Sequence, residues 1–241
     1  MHCYRSLSKI HAMTFDLDDT LYDNWPVICA LEHKVHQWLQ LQHPASHLMT
    51  MQDWLELKIK LAQQDPSLRN DVSLWREVQL TTGFKLLGYS EASAKQATEE
   101  AMSLVSIYRN QIDIPAVTHT VMQKLSKKIP LIAITNGNVD AEKIGLSGYF
   151  EQVYRAGSDG RAKPHADLFQ RAQQHLSLPA HHILHVGDHL KTDVFGAKTN
   201  GFQACWFNDK QRQISNEKVK VLPDIEISSL SELLPFISTS L

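Results

Sequence analysis

Asp16-Leu17-Asp18-Asp19-Thr20 follows directly on the short apolar segment Ala12-Met13-Thr14-Phe15, so the chain sends several carboxylates out of the end of what reads as a buried strand. The carboxyl ends of strands are where open α/β sheets carry their chemistry, because the loops there face a crevice and have no packing duty. Asp16 and Asp18 lie two apart and share one side of an extended backbone. Two carboxylates that close resist joint ionisation unless a cation intervenes or they share a proton. The plain alternative is an Asp-rich turn, since Asp and Thr are ordinary turn and cap residues.

A second, distant set of residues decides between these readings. Pro130-Leu131-Ile132-Ala133-Ile134 is an apolar run that ends in Thr135-Asn136-Gly137, a hydroxyl followed by turn residues whose main-chain N–H groups can cradle an anion. Ile183-Leu184-His185-Val186 is another such run, ending in Gly187-Asp188, with Asp193 five residues beyond. Between them, Lys163-Pro164 follows the turn-rich Gly157-Ser158-Asp159-Gly160 and precedes a helical pattern. Pro164 suits the first helical position, which would hold Lys163 at a helix entrance.

In this order and local context the four elements resemble the motifs of the haloacid dehalogenase superfamily of phosphohydrolases. DLDDT resembles its first motif, ITNG its second, AKP its third and GDHLKTD its fourth, and the match continues through the strand-like Gln203-Ala204-Cys205-Trp206-Phe207. More narrowly, FDLDDTLYDN, AITNGN, RAGSDGRAKP and ILHVGD resemble bacterial members that dephosphorylate flavin mononucleotide and the ribitylaminouracil phosphate of flavin synthesis.

The resemblance implies a phosphomonoester hydrolase in which Asp16 attacks phosphorus and becomes an aspartyl-phosphate. Asp18 would act as general acid and then general base. Thr135, Asn136 with its neighbouring N–H groups, and Lys163 would bind phosphoryl oxygens. Several carboxylates facing a dianionic phosphate need a counter-cation, and oxygen donors select Mg²⁺. Asp16 and Asp188 are assigned to it as side-chain ligands and Asp18 through its carbonyl, with Asp193 steering a metal-bound water or Lys163. Asp19 is read as a turn residue.

The implied substrate is a small phosphometabolite such as flavin mononucleotide or 5-amino-6-(5-phosphoribitylamino)uracil. Hydrolysis of sugar phosphates or nucleotides, or a phosphomutase, keeps the same residues. A 2-haloacid dehalogenase would attack carbon and have no use for Asp18, Asp188 and Asp193. His189 departs from the family pattern, which often has another acid there, so metal affinity is the property it touches. His181, His185 and His189 suggest zinc only superficially, because i, i+4 spacing aligns side chains on a helix and His185 lies in a strand pattern.

The elements that must position these residues follow from periodicity. The pattern changes class at about Asn24 and changes back near Ile114, and from Pro26 to Arg109 apolar residues recur at helical spacing, as in Val27, Leu31, Val35 and Leu39. Residues 1–23 and 114–241 show instead short apolar strands alternating with helical stretches, including Ala116 to Lys128, Asp167 to Leu176 and Asp193 to Asn200, the rhythm of a parallel sheet covered on both faces. The expected fold is therefore a doubly wound, Rossmann-like α/β core with an inserted helical domain, residues 24–113. The insert resembles the superfamily's cap, which can shut over a small substrate. Trp25, Trp38, Trp54, Trp75, Tyr89 and Tyr108 are expected mainly as anchors between its helices, and Lys58, Lys60, Arg69, Arg76 and Arg109 mainly as a solvated face.

Composition narrows the partners. A net charge of −2 over 241 residues offers no basic field for nucleic acid or an anionic membrane. The three cysteines form no CxxC pairing, which fits a reducing cytoplasm, and Cys205 reads as a small buried hydrophobe. No stretch has the length and apolarity of a leader or a membrane span. The expectation is a cytoplasmic enzyme, monomer or homodimer, acting on a small molecule.

Overall fold

The computed structural model describes residues 1–238. Its contacts divide the chain into two compact units, one made of the residues up to Asp23 and those from Asp113 onward, the other of Asn24–Ile112.

The first unit holds strands β1 (His2–Cys3), β2 (Ala12–Phe15), β3 (Leu131–Thr135), β4 (Gln152–Arg155), β5 (Ile183–Gly187), β6 (Gln203–Phe207) and β7 (Ile225–Ile227). They form one sheet in the order β1-β7-β6-β5-β2-β3-β4. Every pairing is parallel except that of the edge strand β1 with β7. The chain runs from β2 outward to β3 and β4, then returns to the other side of β2 for β5, β6 and β7. The order thus reverses beside β2, and such a switch point opens a crevice at the carboxyl ends of the strands. β2, β3 and β5 are buried along their whole length, which is why they read as continuous apolar runs.

Helix α6 (Asp167–Leu176) lays Leu168, Phe169 and Ala172 into one cluster with Ile132, Ile134, Ile183, Ala204 and Trp206. Helix α5 (Ala116–Ser126) buries Val121, Met122 and Leu125. Two local expectations change. Pro164 is not the first residue of a helix: α6 begins three residues later, and Lys163-Pro164 is a cis peptide in the turn before it. The stretch from Asp193 to Asn200 is not one regular helix either. A widened turn, Leu190–Phe195, precedes the short α7 (Gly196–Thr199), and in it the Val194 N–H reaches back five residues to the His189 carbonyl at 3.3 Å.

The second unit consists of α1 (Trp25–Gln42), α2 (Met51–Gln64), α3 (Val72–Leu86) and α4 (Glu91–Arg109). Their starts are written in the sequence: Pro26 in the first turn of α1, a Thr50/Asp53 capping box on α2, and Asp71 and Ser90 as side-chain caps of α3 and α4. Leu31, Val35, Leu39, Trp54, Leu80, Phe84 and Val105 form its core, with Trp38, Tyr89 and Tyr108 packed against it. Trp75 is half-buried and Trp25 is exposed. Lys60 and Arg69 lie on the surface as expected, whereas Arg76 and Arg109 are buried. The Glu32 carboxylate, which takes both terminal nitrogens of Arg76, is what makes that burial tolerable.

Phe169 is fully buried and meets Phe202 edge-on at 5.5 Å between centroids. Phe169→Ala is expected to cost about 3–5 kcal/mol. A urea melt checks this: the midpoint should fall with the slope unchanged.

Candidate active site

Three strand ends deliver the chemistry. Asp16 follows β2, and its main-chain N–H donates to the Val186 carbonyl at 2.9 Å, extending the β2–β5 ladder by one residue. Beyond it the chain turns at Asp19, whose φ of 56° is a left-handed conformation that Asp tolerates. Within that turn the Tyr22 hydroxyl donates to Asp18 Oδ1 at 2.6 Å, fixing the second carboxylate. Asp18 is half-buried, while Asp16 is almost wholly enclosed.

Lys163 is the cation of the site. It is 2% exposed, and its Nζ lies 2.9 Å from Asp16 Oδ1 and 2.8 Å from Asp193 Oδ1. Its main chain is clamped from the end of β3: the Lys163 N–H donates to Asn136 Oδ1 at 2.7 Å, and the Asn136 amide donates back to the Lys163 carbonyl at 2.9 Å. The Asn136 side chain thus orients the lysine. What β3 leaves for an anion is the Thr135 hydroxyl and the N–H groups after it, of which that of Gly137 donates to Thr135 Oγ1 at 2.9 Å.

β5 supplies the remaining acids. Asp188 is held by its main chain: its N–H donates to Thr20 Oγ1 at 3.1 Å, and its carbonyl accepts from Trp206 Nε1 and an Arg212 guanidinium nitrogen, each at 2.8 Å. Asp193 is fully buried in the widened turn and accepts the His189 N–H at 2.9 Å. The His185 ring approaches it from below, with Nε2 3.4 Å from Asp193 Oδ1 and Nδ1 2.9 Å from Thr14 Oγ1. An ionised Asp193 only accepts, so Nε2 carries the ring proton and the Thr14 hydroxyl donates to Nδ1. Gly187 has a steric duty here, because a Cβ on it would stand 2.4 Å from Asp193 Cγ.

His189 itself is exposed, and its Nδ1 accepts the Thr192 N–H at 3.2 Å, capping the turn. His181 is exposed as well, so the three histidines at i, i+4 spacing do not converge. Among the described residues, the group able to hold a metal is Asp16, Asp188 and Asp193, each with one carboxylate oxygen within 4.8 Å of the others. This donor set is all oxygen and suits a hard cation such as Mg²⁺. The electrostatics ask for one. Burial, then the charges of Asp193 and Asp18, push Asp16 up to about 8 against the pull of Lys163. Burial, Asp193 and Asp19 push Asp188 up to about 7. Burial also acts to raise Asp193, but Lys163 and the His185 hydrogen bond overcome it and hold that carboxyl well below the usual range.

Sequence reasoning missed the groups that hold the site rather than line it: Tyr22, Thr20, His185, Trp206 and Arg212. The visible signal was polarity in the wrong place, as with His185 and Thr14 inside apolar strands and in register with each other.

The chain is similar to known proteins. Residues 10–201 match the family described as haloacid dehalogenase-like hydrolase. The 5-amino-6-(5-phospho-D-ribitylamino)uracil phosphatase YigB of Escherichia coli is 41% identical, over 98% of this chain and 100% of its own length. Human N-acylneuraminate-9-phosphatase is 27% identical over 94% of this chain and 93% of its own. Among solved structures, a 2-haloacid dehalogenase from Pseudomonas syringae pv. Tomato superposes with a TM-score of 0.88 at 32% identity, covering 95% of this chain and 98% of that one.

Two outcomes follow from the geometry. Gly187→Ala should displace Asp193 from Lys163 and lower turnover at least about tenfold; an unchanged rate would show that the Asp193 position is not critical. The second concerns pH. Because the folded-state pKa values of Asp16 and Asp188 are raised from 3.8 to about 8 and about 7, the metal-free fold loses stability progressively as pH rises from 3.8 up to those values. Mg²⁺ competes with those protons, so the increase in Tm that it produces should be larger at pH 8 than at pH 6.

Proposed function

The chain belongs to the haloacid dehalogenase-like hydrolases, and from that premise we propose that it is a Mg²⁺-dependent phosphatase whose substrate is 5-amino-6-(5-phosphoribitylamino)uracil or a closely related ring-bearing ribityl phosphate such as flavin mononucleotide. The observation that carries the reaction type is Lys163 between Asp16 and Asp193, with Asp18 and Asp188 at the same strand ends. Full-length identity of 41% to a phosphatase of that substrate supports the choice of leaving group.

In this mechanism Asp16 attacks phosphorus and the bond from phosphorus to the ester oxygen breaks. Asp18, steadied by Tyr22, gives its proton to the departing alcohol. Asp18 then takes a proton from water as that water attacks the aspartyl-phosphate, which releases phosphate and restores Asp16. Lys163, Thr135 and the N–H groups after Thr135 hold phosphoryl oxygens in line, and fixed charge of this kind supplies much of the rate in phosphoryl transfer. Asp193 keeps Lys163 in place and charged. When bound, Mg²⁺ would be held by Asp16, Asp188 and the Asp18 carbonyl and would neutralise charge on the transferring group. The helical unit is assigned the selection of the leaving group.

The likeness to a 2-haloacid dehalogenase raises a second reading, in which Asp16 attacks carbon. That chemistry needs neither a proton-handling Asp18 nor the paired acids Asp188 and Asp193, and all three are present and held by named partners here. Free thiols at Cys3, Cys29 and Cys205 fit the cytoplasmic setting of such an enzyme.

Phosphate release measured across ribitylaminouracil phosphate, flavin mononucleotide, glycerol phosphate and hexose phosphates, with halide release measured on chloroacetate, tests the reading. The ring-bearing phosphates should be turned over with the highest kcat/KM and chloroacetate not at all; halide release, or equal use of glycerol phosphate, would overturn it. Asp16→Asn should abolish turnover in a folded protein. Asp18→Asn should cost on the order of 10²–10⁴ on an alkyl phosphate and less on p-nitrophenyl phosphate, whose leaving group needs less proton help. Chelation should stop the reaction and Mg²⁺ restore it.

A further inference from the structure

The helical unit contains a cavity of its own, about 440 Å³, among α1, α2 and α3. Its size lies in the range of small-molecule sites. Ile28, Val35, Leu39 and Leu80 give it apolar walls, and Trp54, His36 and Lys58 line it as well. Trp54 and His36 each present a shielded ring nitrogen without a partner, and Lys58 has no carboxylate to pair with among the described residues.

Trp54 is 6% exposed, and its Nε1 is shielded from solvent without a hydrogen-bond partner. The six-membered edge of the indole abuts Gly83, where a Cβ would stand 2.1 Å from Trp54 Cζ3, so the N–H edge lies on the opposite side of the ring. A buried indole N–H normally finds an acceptor. His36 repeats the pattern. Its Nε2 faces the Gln40 amide nitrogen at 3.0 Å and must accept from it, which puts the ring proton on Nδ1, and Nδ1 is also shielded and unpartnered.

Lys58 is the third donor. Its Nζ lies 4.9 Å over the Trp75 ring, and among the described residues no carboxylate comes within ion-pairing distance of it. Glu32, the acid of this cavity, is taken by both terminal nitrogens of Arg76. Burial, and then the Arg76 charge, push the Lys58 ammonium down to about 8, as expected for a cation whose partner is missing. The cavity therefore offers donors and positive charge between apolar walls, with its one carboxylate already paired.

We infer that this cavity binds a planar ring bearing carbonyl oxygens, a cyclic dione of the pyrimidinedione type, with the ring between the aliphatic walls and its oxygens accepting from Trp54 Nε1, His36 Nδ1 and Lys58. A simple sugar phosphate lacks the flat apolar faces, and a hydrocarbon would leave the two shielded donors of Trp54 and His36 unmatched at a cost of about 1–3 kcal/mol each. The inference deepens the proposed function, on which its choice of ring rests, since the uracil of a ribitylaminouracil phosphate and the isoalloxazine of a flavin are both rings of this class.

The test uses the full-length protein and phosphate-free riboflavin as probe, titrated by calorimetry and by the indole N–H signals of ¹⁵N-labelled protein. The expected result is saturable binding that moves the indole signal of Trp54, identified by its loss in Trp54→Phe. Saturating inorganic phosphate should not abolish that binding. Trp54→Phe keeps the ring and deletes the donor, Lys58→Met keeps the chain length and deletes the charge, and each should weaken binding about tenfold at an unchanged Tm. If one variant fails to fold, the other and the wild-type indole shift still decide. Absence of binding, or binding that leaves the Trp54 signal unmoved, overturns the inference. Failure of the substrate reading looks different: no phosphate release from ribitylaminouracil phosphate, with riboflavin still moving Trp54.

Discussion

An ammonium group buried between two carboxylates is the constraint around which the core is built. Removing a lysine from water costs several kcal/mol unless its charge is met at close range, and Lys163 is met twice, by Asp16 and Asp193. Each partner comes from a different strand end. β2 delivers Asp16, β5 and the widened turn after it deliver Asp193, and Asn136 at the end of β3 grips the Lys163 main chain on both sides. Three adjacent strands of the sheet, β5, β2 and β3, are thereby tied to one charge beside the switch point of the topology.

The two carboxylates are not equivalent. Asp193 accepts from Lys163, the His189 N–H and His185, which keeps it ionised although it is fully buried. Asp16 shares the same cation but adds no comparable set of side-chain donors, and it feels Asp193 and Asp18 besides. The first carboxylate anchors the lysine, and the second is left short of compensation at the mouth of the crevice. That is the condition in which a nucleophile gains from a divalent cation and from an incoming phosphoryl group with few competing contacts to break.

Much of this was legible from residue order alone. DLDDT, ITNG, AKP and GDHLKTD each sit behind an apolar run or a turn, and the sheet brings three of them to adjacent strand ends. The helical insert was legible from its periodicity. Other features were hidden for physical reasons. β1 and β7 are two and three residues long and β4 is a half-exposed edge, too little for alternation to register. The position of Lys163 was misread because Pro164 resembles a helix start, while the real constraint is a long-range clamp by Asn136, and sequence spacing carries no trace of it. Buried Arg76 passed for a surface cation because its partner Glu32 lies on another helix.

The central claim, that Asp16 carries the phosphoryl group, is tested most directly by rapid acid quench during a single turnover of ribitylaminouracil phosphate or flavin mononucleotide, followed by peptide mass analysis. The account requires one phosphoryl group on the peptide containing Asp16, appearing no later than the free alcohol and decaying as phosphate is released. Release of alcohol and phosphate together, at every time point, with the Asp16 peptide unmodified and water oxygen transferred to phosphorus in one displacement with inversion, would contradict it.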